Sequence, residues 1–381
     1  MQTVSEKLDA LKLVVSTRSF SRAGTNLAKF NTDEDPETPE ARLRNAALLA
    51  ELTGKCRDVT LEYPLDIQKK ENTEQINRLL EDRKLNPATL AVNPLVAQRR
   101  GVLNHRLMYG TLSSPYPEVR VASINSILGV LQLMRDINCR QILLWIPDGA
   151  DSPGEKNAVE MLDLILKGMR QIGIKIRKSE SMLLTFRPYN PSYFCAAVPD
   201  WGTAAWLCRE TDPSCRLLFD TGSLLPGESL DSVMVSLLHQ KILGRVAFSD
   251  NRLGMGTLPA GSLDAGAFFR FFLNLMNAER AGLCSLDNFP VELRVESRVG
   301  DPMENLLIAV ENTLHALARA ALVNPDELKQ MQETPDPAEA NRILRDAFVM
   351  DVHPMVRHWR ETNNLPPDPL SEYRGRAKQK R

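Results

Sequence analysis

Several features that identify common protein classes are missing from this 381-residue sequence. Its six cysteines form no CxxC pair and have no close histidine partner, which favours reduced thiols over a disulfide framework or a zinc site. No apolar run approaches the ~20 residues needed to cross a bilayer. The run Leu11–Val15, interrupted by Lys12, is too short for a signal-peptide core. The predicted location is therefore the cytoplasm, without membrane contact.

An excess of charge of either sign is also missing. The chain carries 47 basic and 48 acidic residues, so its formal net charge is −1. This balance gives no general attraction to nucleic acid or to an anionic membrane, and neither is expected as a partner. With 43% hydrophobic and 25% charged residues, the composition is typical of a globular protein. The length allows one large domain with an extension, or two ordinary domains.

Short runs of β-branched and aliphatic residues recur along the sequence, and longer segments with helical periodicity separate them. The predicted strands are Lys12–Ser16, Val59–Tyr63, Thr89–Asn93, Gln141–Ile146, Met182–Phe186, Arg216–Phe219, Gly244–Phe248 and Val291–Val295. The predicted helices between and after them lie near 38–54, 73–84, 116–138, 155–172, 201–210, 228–241, 265–282 and 304–322.

Strict alternation of strand and helix predicts a parallel sheet, and at this length a closed (β/α)8 TIM barrel is its commonest form. An open doubly wound sheet is the alternative, although no GxGxxG turn follows the first predicted strand. Beyond residue 323 only helices are predicted, followed by a polar, proline-rich tail. The predicted domains are a barrel over 1–323 and a C-terminal helical extension over 324–381. Such an extension packs on its own barrel or on a neighbouring subunit, and we expect a homo-oligomer.

Barrel enzymes place their chemistry at the C-terminal ends of the strands. Polar residues at those positions are therefore candidate site residues: Arg18, Asn93, Asp148, Thr185, Arg187, Asp220, Ser249, Asp250, Arg294, Glu296 and Arg298. Each arginine alone is typical of a salt bridge at the rim. Several arginines at one rim indicate either an anionic ligand or a protein that is no longer selected for binding a cation.

Several segments together resemble a known family. They are LWIPDGADSPG (144–154), RPYNPSYFCAAVPDWG (187–202), FDTGSLLPG (219–227), AGSLD (260–264) and PDPLSEYR (367–374). Taken together they look like the L-rhamnose isomerase family of xylose-isomerase-like barrels, over most of the chain. The resemblance implies a barrel in which two divalent ions, commonly manganese, assist aldose–ketose isomerisation.

The positions that correspond to the family's metal ligands and substrate-binding residues mostly hold other residue types here. On the resemblance, the family's carboxylates fall at Thr185, Asp220, Met255, Thr257 and Arg294, and its histidines at Ser114, Ser223 and Ala247. A family tryptophan falls near Arg18. Glu296 replaces Arg294 in this correspondence if the alignment shifts by two residues. Only Asp220 keeps the family's residue type.

One carboxylate beside an arginine is a poor site for a divalent ion. At an effective dielectric constant of 20, a cation ~4 Å from a guanidinium loses about 4 kcal/mol per unit charge, and hard cations need several anionic oxygens. The sequence therefore predicts no metal cofactor. It predicts a barrel that has lost metal-dependent isomerisation and keeps a pocket for a sugar-like or anionic ligand. The expected ligand-binding residues are Asp148, Arg187, Asp220, Arg294 and Arg298.

Two alternatives stay open. A structural subunit would pair with an active relative through the C-terminal helices. A working sugar isomerase with relocated ligands would need an acid/base pair to move a proton through an enediol. Asp220 with Asp250 or Glu296 is the pair that the sequence offers.

Overall fold

The structure is a computed structural model that describes residues 3–21, 38–94, 104–188, 195–250, 258–296, 300–334 and 336–379. The strands are β1 Leu13–Ser16, β2 Asp58–Tyr63, β3 Asn86–Val92, β4 Gln141–Trp145, β5 Gly149–Ala150, β6 Ser181–Thr185, β7 Cys195–Ala196, β8 Cys215–Asp220, β9 Leu243–Phe248 and β10 Val291–Leu293. The α-helices are α1 Val4–Ala10, α2 Pro39–Thr53, α3 Thr73–Asp82, α4 Pro117–Asp136, α5 Ala158–Gly173, α6 Trp201–Thr211, α7 Leu230–His239, α8 Ala265–Arg280, α9 Pro302–Ala321, α10 Pro325–Glu333, α11 Pro337–Val349, α12 His353–Thr362 and α13 Pro369–Gln379. Short 3-10 helices lie at Thr17–Phe20, Lys70–Asn72, Asn104–Tyr109, Thr221–Ser223 and Leu286–Asn288.

Eight of the strands close into a barrel in the order β1–β10–β9–β8–β6–β4–β3–β2. Every neighbouring pair is parallel, and pairing of Leu13 in β1 with Val291 in β10 closes the ring. The predicted (β/α)8 barrel and its eight predicted strands are confirmed. The remaining strands, β5 and β7, form a two-stranded antiparallel ribbon that was not predicted, with Gly149 opposite Ala196.

Alternation along the strands separates two apolar clusters. Outward-facing residues such as Ile142 and Leu144 of β4 belong to the large core between the sheet and the surrounding helices. The residue between them, Leu143, points the other way and belongs to a small cluster inside the barrel. Strands that are apolar on both faces are typical of a parallel barrel, because helices cover the outside and side chains fill the inside.

The bounds of the helices follow from local signals in the sequence. Thr38 caps α2 by accepting a hydrogen bond from the backbone N–H of Ala41 at 3.2 Å, and Pro39 occupies the first helical position. Gly54 ends the same helix with φ of +69°, a left-handed conformation that favours glycine. The barrel helices therefore begin and end close to their predicted bounds.

The C-terminal helices pack against both the barrel and the N-terminal helix. Helix α12 contacts α1 and α9, and α13 contacts α2 and α9. The predicted tail after α12 is polar, but its residues 369–379 form a further helix, α13, that was not predicted. The phenol of Tyr373 anchors this helix by donating to Asp301 Oδ2 at 2.7 Å. No single described helix is long and apolar enough to cross a bilayer, and only the bent pair α9 and α10 meets that criterion in combination.

A buried lysine joins α1 to the C-terminal helices. Lys55 Nζ donates to the carbonyl oxygens of Leu8, Asp9 and Leu11 at 2.5, 3.1 and 3.0 Å. These carbonyls lie at the C-terminal end of α1, where the helix itself supplies no donors. The indole of Trp359 in α12 lies 5.2 Å from the same Nζ and donates to Asp9 Oδ1 at 2.7 Å. The ends of the described chain therefore meet at one ammonium group.

Candidate functional site

The interior of the barrel divides into an apolar part and a charged part. Leu143, Leu183, Leu218 and Ala247 form the apolar part, on β4, β6, β8 and β9. Ala247 corresponds to a family histidine on the resemblance, and here its methyl group is fully buried in this cluster. This part of the interior offers no donor or acceptor to a ligand.

The charged part centres on Glu292 of β10, whose side chain is buried between two arginines. Arg245 Nη1 donates to Glu292 Oε2 at 2.8 Å, and Arg294 Nε donates to Glu292 Oε1 at 2.9 Å. Thr60 Oγ1 also donates to Oε2, at 3.0 Å. Burial alone would raise the pKa of Glu292, but the two arginines outweigh burial and lower it. Glu292 is therefore a carboxylate that holds both guanidinium groups in place.

Arg294 lies above Glu292 and reaches towards Asp220, at the C-terminal end of β8. Its Nη1 is 3.7 Å from Asp220 Oδ2, which is within ion-pair range but too long for a hydrogen bond. Burial opposes its charge, yet the carboxylates of Glu292 and Asp220 outweigh burial and raise the pKa of Arg294. Within the described ranges, no residue accepts a hydrogen bond from its two terminal nitrogens.

Described residues donate hydrogen bonds to one of the two carboxylate oxygens of Asp220. Oδ1 accepts hydrogen bonds from Ser249 Oγ at 2.5 Å and from the backbone N–H of Gly222 at 3.1 Å. Oδ2 is buried and has no hydrogen-bond partner among the residues that the structure describes. Thr185 Oγ1, at the end of the neighbouring strand β6, is likewise buried and without a described partner. Two polar atoms at the C-terminal end of the barrel therefore lack a hydrogen-bond partner in the described ranges.

A second ion pair lies at the same end, on the β1, β2 and β10 side. Arg18 Nη1 contacts Glu62 Oε2 at 3.0 Å, and Arg18 Nε is 3.8 Å from Glu296 Oε1. Glu62 is the main cause of the raised pKa of Arg18, and Glu296 adds to it against the effect of burial. The side chain of Arg18 is 41% exposed, so this pair lies at the rim.

Two of the predicted site residues bind backbone amides of the loops. Asp148 is fully buried, and its Oδ1 accepts from Thr111 N and Oγ1 at 2.8 and 2.6 Å, while Oδ2 accepts from Ser113 N at 2.7 Å. Asp250 Oδ2 accepts from the backbone N–H groups of Leu263 and Asp264 at 2.6 and 3.1 Å. Both carboxylates fix loops at the C-terminal end of the barrel.

Arg187 is half-buried just after β6. Its backbone N–H donates to the carbonyl of Val198 at 3.2 Å. No described residue accepts a hydrogen bond from its guanidinium group. Arg298, Met255 and Thr257 lie outside the described residues.

Three charged residues of this site were not predicted from the sequence: Glu62, Arg245 and Glu292. A signal for Glu292 was present in VELRVE (291–296), where charged and apolar residues alternate. In a strand, such alternation puts Glu292, Arg294 and Glu296 on one face. Because the opposite face of a barrel strand packs on helices, the charged face had to point inward. The described residues contain no group of three His, Cys, Asp or Glu side chains arranged to hold a metal ion.

Comparison with known proteins relates this chain to sugar isomerases. No model of a protein family matches it. A probable sugar isomerase of Mesorhizobium japonicum is 24% identical over 375 residues, which cover 98% of this chain and 86% of that protein. A probable sugar isomerase of Rhizobium meliloti is 25% identical over 376 residues, with the same two coverages.

Two solved structures illustrate the similarity in fold. A xylose isomerase-like TIM barrel/4-hydroxyphenylpyruvate dioxygenase fusion protein has a TM-score of 0.54 and 12% identity over 85% of this chain, which spans 44% of the fusion protein. D-psicose 3-epimerase from Clostridium cellulolyticum H10, in a structure with D-tagatose, has a TM-score of 0.54 and 12% identity over 81% of this chain and 98% of the epimerase. This chain therefore has the xylose isomerase-like TIM barrel fold found in sugar isomerases and epimerases.

Proposed function

We propose that this chain binds a polyhydroxylated, sugar-like ligand at the C-terminal end of its barrel, without a divalent cation. The observation that supports this most strongly is the pair of unsatisfied atoms, Asp220 Oδ2 and Thr185 Oγ1. Buried polar side-chain atoms in native proteins nearly always have a hydrogen-bond partner, and leaving one without a partner costs roughly 1–3 kcal/mol. A ligand hydroxyl can donate to the carboxylate oxygen, and another can accept from the threonine hydroxyl.

The charged residues at this position do not fit a divalent cation. An ion bound to Asp220 Oδ2 would lie close to Arg294, whose Nη1 is 3.7 Å from that oxygen. A guanidinium ~4 Å from a dication costs about 4 kcal/mol for each unit of ionic charge at an effective dielectric constant of 20. Glu292 cannot offset this repulsion because its two oxygens already accept hydrogen bonds from Arg245 and Arg294. Arg294 therefore supplies the positive charge that a metal ion would otherwise bring.

A second candidate function is isomerisation or epimerisation by proton transfer. The names of the two relatives, which match 98% of this chain, favour it. Asp220 Oδ2 would act as the base, because it is the carboxylate oxygen left without a described donor. Glu296 is the better partner for Asp220, since Asp250 Oδ2 already accepts from two backbone amides. An acid/base pair needs groups within reach of the ligand's C1 and C2 atoms.

Calorimetric titration with a panel of aldoses, ketoses and sugar acids tests ligand binding. At least one ligand should bind equally well in the presence of EDTA. Thr185→Val should weaken that ligand about 5-fold, equivalent to the loss of one hydrogen bond of about 1 kcal/mol. Thr185→Ser is the matched control and should retain the affinity, because it keeps the hydroxyl.

Assays of aldose turnover with the same panel separate the two candidate functions. Turnover of an aldose that is lost in Asp220→Asn and in Glu296→Gln would favour proton transfer. Turnover that requires manganese and stops on chelation would contradict the proposal of a metal-free site. Absence of binding across the whole panel would refute the ligand site itself.

A further inference from the structure

We infer that the ligand of this site carries an anionic group, a carboxylate or a phosphate, which binds the two terminal nitrogens of Arg294. This inference rests on the proposed ligand site and names the class of ligand that the site takes. Arginine has five N–H donors, and Arg294 commits only Nε, to Glu292 at 2.9 Å. The four N–H groups on its terminal nitrogens have no hydrogen-bond acceptor in the part of the chain that the structure describes.

The guanidinium group of Arg294 is held in a fixed place. Glu292, inside the barrel, accepts a hydrogen bond from Arg294 Nε. Hydrogen bonds from Arg245 Nη1 at 2.8 Å and Thr60 Oγ1 at 3.0 Å fix Glu292 in turn. Arg245 in turn donates through Nη2 to Gln141 Oε1 at 2.6 Å. A planar guanidinium held in this way binds a carboxylate or phosphate through two parallel hydrogen bonds. Little side-chain entropy remains to be lost on binding, because the network has already ordered the arginine.

The contact between Arg294 and Asp220 adds a requirement for a hydroxyl group. Asp220 Oδ2 accepts no hydrogen bond from a described residue and lies 3.7 Å from Arg294 Nη1. A carboxylate can only accept, so its ligand partner must donate. A sugar acid carries a carboxylate next to a hydroxyl group, and the two groups can contact Arg294 and Asp220 at the same time. A sugar phosphate offers the same pair of functions with a different anion.

The charges at this end of the barrel tolerate an anion. Glu62 and Glu296 both face Arg18, and Glu292 faces Arg245 and Arg294. Arg187 adds a guanidinium for which no described residue is an acceptor. It follows Thr185 by two residues, the spacing that puts extended side chains on one face. Repulsion from Asp220 is therefore opposed by two arginines, and Arg187 is the second candidate contact for the anionic group.

Isothermal titration of the wild-type protein tests this inference without any variant. The probes are a set of C5 and C6 aldonates, the parent aldoses, the corresponding aldose phosphates and inorganic phosphate. At least one aldonate or aldose phosphate should bind 10-fold or more tightly than its parent aldose, as expected for a charged bidentate contact of about 1.5–3 kcal/mol. The comparison of aldonates with phosphates identifies which anion the site takes.

Variants then assign the contact to Arg294. Arg294→Gln should remove the preference for the anion and weaken the parent aldose less than 3-fold, and Arg294→Lys should restore only part of it, because lysine keeps the charge but not the fork. Arg187→Gln provides a second test if Arg294 variants fail to fold, since its guanidinium is not part of the buried network. Arg209→Gln, an exposed arginine of α6, is the control and should change nothing.

The outcomes distinguish this inference from the proposed function. Equal affinity for every anion and its parent aldose would overturn the anionic ligand and leave the sugar-like ligand intact. Tight binding of inorganic phosphate, with no gain from the sugar, would support the anion contact and overturn the sugar-like ligand. No binding by any probe would overturn both.

Discussion

The two parts of the barrel interior are filled by different kinds of side chain, apolar in one part and charged in the other. On β4, β6, β8 and β9 the inward side chains are Leu143, Leu183, Leu218 and Ala247, which bury apolar surface and need no partners. On β10 and the lower part of β9, the interior is filled by Glu292 and Arg245, whose opposite charges pair with each other. The charged part contacts Asp220 through Arg294, and Asp220 Oδ2 has no hydrogen-bond partner among the residues that the structure describes.

The difference indicates what each part is for. Burial of a leucine contributes roughly 1.5–3 kcal/mol to stability relative to exposure. A buried ion network contributes little net stability, because desolvation of the charges offsets their attraction, and apolar residues of similar volume are often as good or better. The charged part therefore costs the barrel stability that a leucine layer would supply. Positioning Arg294 for a ligand is a physical reason to retain it.

The largest expected effect comes from removing the carboxylate at the centre of the network. Glu292→Ala should lower the free energy of unfolding by about 3–5 kcal/mol, because Arg245 and Arg294 would be left as buried charges without a carboxylate. Urea denaturation measures this change. Leu183→Ala, in the apolar part, should also destabilise the protein, by about 2–5 kcal/mol, but should retain ligand affinity. A loss below about 1 kcal/mol in Glu292→Ala would show that the network is not buried as described.

Replacing the whole network should have the opposite sign. The triple change Arg245→Met, Glu292→Leu and Arg294→Met removes all three charges of the network together, and the remaining carboxylate, Asp220, keeps its hydrogen bonds from Ser249 and Gly222. Stability should stay the same or rise by about 1–4 kcal/mol, while the preference for an anionic ligand is lost. Loss of stability comparable to that in Glu292→Ala would mean that the charges stabilise the barrel, and the contrast between the two parts would fail.

Acid should weaken the charged part selectively. In the unfolded chain Glu292 protonates near its ordinary pKa of about 4.3, whereas in the folded protein burial and the two arginines leave its pKa below that value. As the pH falls, the unfolded state therefore binds the proton first, and the stabilising contribution is lost as the pH passes through the folded pKa. The melting temperature between pH 7 and pH 3 should fall more steeply in the wild type than in the triple variant. Parallel curves would contradict this assignment.

The smallest effect is expected at an ion pair outside the barrel. Arg376 of α13 contacts Glu51 and Glu372, each at 2.8 Å, and its side chain is 38% exposed. Arg376→Gln should change the free energy of unfolding by at most about 1 kcal/mol, because solvent screens exposed pairs. Ligand affinity should not change. A larger loss would show that α13 depends on this contact more than on Tyr373.

The fold was predictable because its signals repeat. Each barrel strand is a short aliphatic run followed by a segment with helical periodicity, so errors in single bounds did not affect the alternation. Helix α13 escaped prediction because its stability comes from contacts distant in sequence, such as Tyr373 with Asp301 and Arg374 with Glu304. The intrinsic helix propensity of a polar, proline-flanked segment does not reveal such contacts.

The site was predictable only in part. The ends of the predicted strands indicated Asp220, Thr185 and Arg294 as site residues, because chain direction determines which edge of a barrel is the C-terminal one. Which of these residues has a polar atom without a described hydrogen-bond partner depends on side-chain contacts across the barrel. Asp148 and Asp220 each lie at the end of a predicted strand. Loop amides donate hydrogen bonds to both oxygens of Asp148, whereas Asp220 Oδ2 has no donor among the described residues. That difference arises from loop geometry, which spacing along the chain does not encode.

The buried ammonium of Lys55 has a consequence for synthesis of the protein. Helix α1 leaves the ribosome first among the described helices, but Trp359, which covers the same ammonium and donates to Asp9, follows some hundreds of residues later. In the nascent chain, α1 therefore lacks its contact with Trp359 until α12 has been translated and has folded against it. The first of the described helices is therefore among the last to reach its final environment.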